Sequence, residues 1–238
     1  MLYESGRPTK EATRQSMDVV EAIRQRKSVR GFKPDPVPKA LIKKILEIAV
    51  RAPSSVNAQP WEFAVVTGDV LERIKQDNVD RLLSNTEPDP DLQSEPWHGA
   101  YRQRQVELAK QIFRLMGIAR KDRQKRAEWA QRGVRFFDAP AAIIVYVDRS
   151  LSESRPLFDT GCVSQTICLA AIKYGLGTCI EGQGVHFPDV IRKHAGLPES
   201  KRIVTSIAIG YPDWDYPANK LETEREAVDN LTMWCGFD

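Results

Sequence analysis

One short run of residues constrains the fold more than any other part of the chain. Residues 141–147 (Ala-Ala-Ile-Ile-Val-Tyr-Val) are almost continuously apolar, which is typical of a strand that is covered on both faces. The run therefore predicts a central strand. Residues 158–174 predict a helix with small or apolar side chains on nearly every side, so both faces of that helix must also be covered.

The remaining patterns predict further helices and strands in mixed order. Helices are predicted at 18–25, 38–51, 69–83, 97–117, 122–137, 188–194 and about 224–231, and strands at 61–67, 178–181 and 203–210. Because their order is not strictly β-α-β, we expect an α+β sandwich in which helices flank a central mixed sheet. We also expect a polar N-terminal arm at 1–15 and a single domain at 16–238, with a helical insertion at about 85–137.

The composition argues against several classes of protein. The chain has 238 residues, and its 35 Lys and Arg against 32 Asp and Glu give a net charge of +3, which is too balanced for an electrostatic nucleic-acid binder. The four cysteines have no paired Cys-x-x-Cys spacing and there are only three histidines, so neither zinc nor iron–sulfur ligation is indicated. No signal peptide and no membrane span are predicted, so we expect a soluble cytoplasmic protein with reduced thiols.

A cluster of cations at the end of the first predicted helix is one candidate binding segment. Arg26, Lys27 and Arg30 surround Ser28. A helix C-terminus stabilises a nearby cation by about 0.3 to 1 kcal/mol, which explains the presence of one cation. Three cations repel one another unless an anion offsets the repulsion, and arginine forks suit phosphate. The cluster therefore leaves two interpretations open, a charged helix end and a phosphate site.

The loop at 53–60 is the second candidate segment. It contains Ser54, Ser55, Asn57 and Gln59 between two prolines. Such residues often do no more than satisfy the backbone of a turn, and that alternative stays open. This loop nevertheless joins a predicted helix to a probable core strand, and it offers more donors and acceptors than a turn can use.

These segments, together with two later ones, resemble the nitroreductase superfamily of FMN-dependent oxidoreductases. The resemblance rests on Arg-x-Ser-x-Arg at 26–30 followed by Phe32, Ala-Pro-Ser-Ser-x-Asn-x-Gln-Pro-Trp at 52–61, Gly-Leu-Gly-Thr at 175–178 leading to Glu181-Gly182, and Ile-Gly-Tyr-Pro at 209–212 with Arg225 beyond it. It covers about residues 17–232, and the insertion is most similar to the nitrobenzoate-reductase-like branch. The resemblance implies a mostly antiparallel mixed sheet in an α/β/α sandwich and an intertwined homodimer with FMN at the subunit interface.

The resemblance also implies a role for each matching residue. Arg26, Lys27 and Ser28 would contact the FMN phosphate and ribityl chain, and Arg30 would reach the ribityl or pyrimidine edge. Pro53, Ser54, Ser55 and Asn57 would reach the FMN of the other subunit, with Gln59 and Arg225 completing the cofactor contacts. The backbone of Glu181 and Gly182 would lie near flavin N5, and no catalytic side chain is implied.

The implied activity is a two-step reduction. Hydride would pass from NADH or NADPH to flavin N5, and an electron-poor aromatic, such as a nitroaromatic, or a quinone would then take the electrons. Gly175-x-Gly177 precedes a strand rather than opening a helix, so it is not a dinucleotide fingerprint. Two alternatives remain open: a different reduction with the same FMN, such as dehalogenation or enone reduction, and a non-enzymatic flavin-binding redox protein.

Overall fold

The central feature of the fold is an antiparallel sheet. The structure is a computed structural model that describes residues 18–237, so the arm expected at 1–15 lies outside the described residues. Within the described range, four strands pair in the order β1-β2-β4-β3, each antiparallel to its neighbour. The strands are β1 (Glu62–Thr67), β2 (Ala141–Asp148), β3 (Gly177–Glu181) and β4 (Lys201–Gly210). The apolar run is thus an internal strand, as predicted.

The helices form where the apolar spacing predicts them. They are α1 (Val19–Gln25), α2 (Lys39–Ala49), α3 (Gly68–Leu83), α4 (Gly99–Leu115), α5 (Arg123–Val134), α6 (Ser154–Lys173), α7 (Pro188–Ala195) and α8 (Val228–Leu231). Pro38 lies just before α2 rather than within it, and Thr67 rather than Asp69 precedes α3. The predicted end of α5 at 137 is wrong, because residues 136–138 have positive φ and cannot continue a right-handed helix.

The side chains of β2 alternate between two hydrophobic layers, which gives the predicted sandwich. Ala141, Ile143 and Val145 pack on one face with residues of α2 and α6, whereas Ala142 and Ile144 pack on the other with residues of α3 and α7. All five are fully buried. The α+β class and the helices on both faces of the sheet are therefore confirmed.

An isolated pairing fixes the cationic segment to the edge of the sheet. Ser28 forms a parallel bridge with Thr178 of β3, and the Val29 N–H donates to the Thr178 carbonyl at 2.9 Å. Val29 is buried, so it anchors the segment while its neighbours stay accessible. Among residues 18–237 no helix is long and apolar enough to cross a membrane.

Candidate functional site

The cationic segment and the late arginine lie around the same cavities. Arg26, Lys27, Ser28, Arg30 and Arg225 all line a cavity of about 620 Å³. All of these except Arg30 also line a neighbouring cavity of about 960 Å³. Two segments that are about 200 residues apart in the sequence are therefore brought together, as the motif match predicts.

Within residues 18–237 none of these four cations forms an ion pair, and two of them, Arg26 and Lys27, are adjacent in the sequence. Arg104 of α4 lines the same cavity, but it is paired with Glu226 at 2.8 Å. Adjacent half-buried cations without a counterion repel each other, and an anion placed between them removes that cost. This surface is suited to a phosphate group.

Arg30 and Arg225 are each held by local contacts. Arg30 donates from Nη1 to the Ser28 carbonyl at 3.3 Å, and its guanidinium lies 5.8 Å from the centre of the Phe137 ring. Arg225 donates from Nη1 to the Thr223 hydroxyl at 2.9 Å and to the Glu224 carbonyl at 2.8 Å. Only part of the donor set of Arg225 therefore remains for a ligand.

A buried asparagine, which the motifs do not reveal, fixes the loop that carries Arg30. Asn219 accepts from the Arg30 N–H at 2.7 Å and donates to the carbonyls of Gly31 at 2.8 Å and Asp213 at 2.7 Å. A side chain on Gly31 would overlap the ring of Tyr216. Asn is a common turn former, so nothing in the sequence distinguishes this residue from a surface turn.

The loop at 53–60 has a strained backbone. Val56, Asn57 and Gln59 have φ values of 48°, 58° and 49°, and a left-handed conformation is costly for a β-branched residue such as Val56. The Ser54 hydroxyl accepts from the Gln59 N–H at 3.0 Å. Val56 nevertheless points into solvent and is 94% exposed. The loop thus presents an apolar side chain and several polar groups outward.

The same loop lies away from the cationic segment of its own chain. The Ser55 N–H donates to both carboxylate oxygens of Asp159 on α6, at 3.2 and 3.3 Å. Gln165 of α6 lines the larger cavity with Arg26, and it lies about 9 Å further along the helix axis than Asp159. None of Pro53, Ser54, Ser55, Asn57 or Gln59 lines either cavity. One chain therefore does not bring the two predicted halves of the site together.

Gln165 itself is a cavity residue that the motifs do not include. It is exposed on α6, and it faces the space that Ile180 of β3 also lines. A long polar side chain between Val163 and Ile167, which are both buried, is a signal that could have indicated this position.

The end of β3 separates a buried side chain from an accessible backbone. Ile180 is 41% exposed, Glu181 is 8% exposed and Gly182 is exposed again. The Glu181 carboxyl accepts from the Gly184 N–H at 2.8 Å and lies 2.6 Å from the Ser206 hydroxyl. Burial raises the pKa of this carboxyl to about 7, against the opposing effect of its hydrogen bonds. The Glu181 side chain does not face the cavity, as expected.

Comparison with known proteins identifies the family to which this chain belongs. The family model of the Nitroreductase family matches residues 23–211. The chain is 34% identical over 217 residues to the chloronitrobenzene nitroreductase of Comamonas testosteroni, covering 90% of this chain and 95% of that protein. It is also 34% identical over 222 residues to the 4-nitrobenzoate reductase of Nocardioides sp. (strain LMS-CY), covering 91% and 89% respectively.

A solved structure has the same fold over nearly the whole chain. The crystal structure of the FMN and NADPH-dependent nitroreductase NfnB from sphigopyxis sp. strain HMH superposes with a TM-score of 0.88 at 28% identity, covering 93% of this chain and all of that one. The resemblance that the motifs indicated is thus confirmed by sequence and by fold. The chain belongs to the nitroreductase family.

Proposed function

We propose that the protein is an FMN-dependent oxidoreductase that uses NADPH or NADH to reduce an electron-poor aromatic compound, such as a nitroaromatic, or a quinone. Two relatives that are 34% identical to the chain are named for chloronitrobenzene and 4-nitrobenzoate, and the structural neighbour is described as FMN and NADPH-dependent. The observation that carries the proposal in this chain is the pair of cations at Arg26 and Lys27, which line a cavity and have no acidic partner within residues 18–237.

The residues around the cavities fit FMN. Arg26, Lys27 and the Ser28 hydroxyl match the charge and the acceptor oxygens of a phosphate. Ile23, Ile180 and Leu221 supply apolar wall to the larger cavity, which suits a flat ring system. The same cavity thus offers both donors and apolar side chains, as a phosphorylated aromatic cofactor requires.

A second copy of the chain would supply the remaining contacts. Large apolar side chains are left uncovered on α1, on α6 and along the C-terminal segment. They are Val19 (63%), Val20 (46%), Ile23 (53%), Phe158 (75%), Leu231 (69%), Met233 (88%), Trp234 (59%) and Phe237 (77%). Exposed apolar surface of this extent indicates a protein interface. We propose an intertwined homodimer in which the 53–60 loop of one subunit, with Pro53, Ser54, Ser55, Asn57 and Gln59, contacts the cofactor bound by Arg26, Lys27, Ser28, Arg30 and Arg225 of the other.

The residues of this chain bind and orient rather than react. FMN, when bound, supplies a ring that accepts a hydride from the nicotinamide and passes electrons to the acceptor. The exposed backbone at Gly182 lies at the strand end beside the cavity wall formed by Ile180, so we propose Glu181 and Gly182 as backbone contacts to the ring. Arg104 and Leu108 of α4 line the neighbouring cavity of about 620 Å³, so the insertion at about 85–137 would help to select the acceptor.

The absence of a disulfide is consistent with a reducing compartment. All four cysteines are free thiols, and Cys168 and Cys179 are buried. We therefore propose that the protein acts in the cytoplasm.

The first experiment tests the cofactor and the reductant together. The purified protein is loaded with FMN and titrated anaerobically with NADPH and with NADH, and the oxidised flavin spectrum is recorded before and after 4-nitrobenzoate is added. We expect at least one nicotinamide to bleach the spectrum and 4-nitrobenzoate to restore it. Protein that binds FMN but is bleached by neither nicotinamide would contradict the reductase assignment.

A pair of arginine variants tests the phosphate contact. Arg26→Ala should weaken FMN binding by about 10-fold or more, because it removes a charge-assisted contact, while the urea unfolding midpoint stays near that of the wild type. Arg123→Ala is the control, since Arg123 is an exposed arginine at the start of α5 that lines neither cavity. Equal FMN affinity of the two variants would contradict the role of Arg26.

A further inference from the structure

The buried carboxyl of Glu181 is an ionisable group to which the proposed function gives no task. No cation in residues 18–237 forms an ion pair with Glu181. Keeping an ionised carboxylate in such a place is costly unless it is paired. A buried acid of this kind beside a binding cavity is a candidate for a specific role.

The contacts of Ser206 restrict where the hydrogens can be. The Ser206 hydroxyl oxygen lies 2.6 Å from Glu181 Oε1 and 2.9 Å from the Glu181 backbone carbonyl. A hydroxyl has one hydrogen, and a carbonyl can only accept. If Ser206 donates to the carbonyl, the hydrogen in the 2.6 Å contact must come from a protonated Glu181 carboxyl. Both contacts can be hydrogen bonds only when Glu181 carries a proton.

The ionised form supports a weaker arrangement. Ser206 would then donate to the carboxylate, and of the two hydroxyls that contact the Glu181 carbonyl only that of Thr205, at 3.2 Å, would remain beside the pairing of β3 with β4. The Gly184 N–H, at 2.8 Å from Oε2, can donate in either state. Loss of the proton therefore removes the hydrogen bond that the Ser206 hydroxyl donates to the Glu181 carbonyl, and it leaves the rest of the turn in place.

That carbonyl controls the direction of the neighbouring amide. The Glu181 C=O and the Gly182 N–H belong to one planar trans peptide, so they point in opposite directions. Because the carbonyl is bound to residues of β4, the Gly182 N–H points away from β4. Ile180 lines the larger cavity on that open side of β3. The hydrogen bond from Ser206 thus directs the Gly182 N–H towards the proposed cofactor.

We propose that Glu181 is protonated in the working enzyme and is a positioning residue, because its proton allows Ser206 to hold the Glu181–Gly182 peptide with the Gly182 N–H directed to the cavity. The inference rests on the proposed function, since the ligand of that N–H is the FMN ring. Raising the pH removes the proton, takes away the hydrogen bond from the Ser206 hydroxyl to this peptide and weakens FMN binding.

The other ionisable groups near this carboxyl do not gain or lose a proton in the same pH range. Burial raises the pKa of Cys179 on β3 to about 12 and lowers the pKa of His186, which follows the 183–185 turn, so both stay neutral near pH 7. At the C-terminal end of α5 and in the turn that follows it, Arg132 and Arg135 each pair with Asp138, at 2.6 and 2.7 Å. Ser206, Thr205, Gly184 and Asn78, from β4, the turn and α3, do not titrate.

The test uses Glu181→Gln, with Glu47→Gln as control. A glutamine amide donates to Ser206 and accepts from Gly184 as the protonated acid does, whereas Glu47 is an exposed residue of α2. The infrared carbonyl band of a protonated carboxylic acid is recorded from about pH 6.5, where ordinary carboxyls are ionised, to about pH 9 in cofactor-free protein. We expect a band that disappears near neutral pH in the wild type and in Glu47→Gln, and that is missing in Glu181→Gln.

FMN affinity across the same pH range supplies the second measurement. We expect wild-type affinity to fall by about fivefold or more at the alkaline end, and Glu181→Gln to bind with the low-pH affinity at every pH. If no protonated-acid band belongs to Glu181, or if Glu181→Gln keeps the wild-type pH dependence, the proposal is wrong. Failure of the proposed function is distinguishable, because wild-type protein would then not bind FMN at any pH, whereas the infrared band is independent of cofactor.

Discussion

Replacing Asn219 with alanine would test whether one buried amide holds the Arg30 loop in place. The side chain is 2% exposed, and it uses both of its N–H groups and its oxygen in bonds of 2.7 to 2.8 Å. Asn219→Ala removes all three bonds and leaves the Arg30 N–H and the Gly31 and Asp213 carbonyls without this partner.

The expected cost follows from how many of those groups water can reach. An unsatisfied buried polar group costs about 1 to 3 kcal/mol. The bond to Gly31 is buried, whereas those to Arg30 and Asp213 are only partly buried, so water can offset part of their loss. We therefore expect Asn219→Ala to lower the free energy of unfolding by roughly 3 kcal/mol rather than the full sum for three groups.

Urea unfolding measures this change. The protein concentration is held fixed, because the stability of a dimer depends on concentration. Asn230→Ala is the control, since Asn230 is exposed and its one side-chain bond, at 2.6 Å, is to Glu226. The control should change the free energy of unfolding by no more than about 0.5 kcal/mol. We also expect weaker FMN binding in Asn219→Ala alone. A loss of stability equal to that of the control would refute the reasoning.

Three further predictions concern protonation, close packing and the C-terminal segment. The pKa of Glu181 is raised from 4.5 to about 7, so its contribution to stability is complete below pH 4.5 and is lost as the pH rises through about 7. The expected loss in the free energy of unfolding is about 3 kcal/mol. Urea unfolding midpoints at acidic and alkaline pH measure it, and Glu181→Gln should not show it. Gly31→Ala should cost about 1 to 3 kcal/mol by thermal unfolding, because its Cβ would overlap Tyr216, and unchanged stability would contradict that contact. Removing residues 222–238 should shift the protein towards monomer in analytical ultracentrifugation, and an unchanged dimer would count against the proposed interface.

Local patterns predicted the sheet and its two layers because buried positions carry apolar residues that can be recognised in the sequence. The run at 141–147 is apolar at consecutive positions since β2 lies between two hydrophobic clusters. Helix α2 was equally predictable, because the buried residues Ile42, Ile45 and Ala49 lie at helical spacing on one face. Both elements obey the periodicity of their own backbone, so no information from distant residues was needed.

The turn at 136–138 shows what such patterns do not contain. Phe136, Phe137 and Asp138 have φ values of 55°, 53° and 59°, a left-handed turn that costs roughly 1 to 2 kcal/mol per residue. Tertiary contacts offset this cost: Asp138 pairs with Arg132 at 2.6 Å and Arg135 at 2.7 Å. Propensity alone favours continuation of α5, so the sequence predicted a helix through this turn.

Residue types indicated the two segments of the candidate site, whereas their sharing between two subunits came only from the family resemblance. Residue types identified the cations at 26–30 and the polar loop at 53–60, because phosphate and ring edges need those donors. Within one chain, however, the loop is tied to Asp159 while the cations surround cavities that begin near Gln165. No local pattern encodes this separation, since it depends on how both segments pack along α6.

The separation has a thermodynamic consequence for the proposed enzyme. If the cations of one subunit and the loop of the other contact the same FMN, each molecule of cofactor stabilises the dimer by the energy of its contacts with the second chain. Linkage requires the converse, so dimerisation must raise FMN affinity by the same factor. The strain at Val56 is then offset only in the dimer, where its exposed side chain has a surface to contact. In the proposed dimer the site would therefore be a property of the pair of chains rather than of either chain alone.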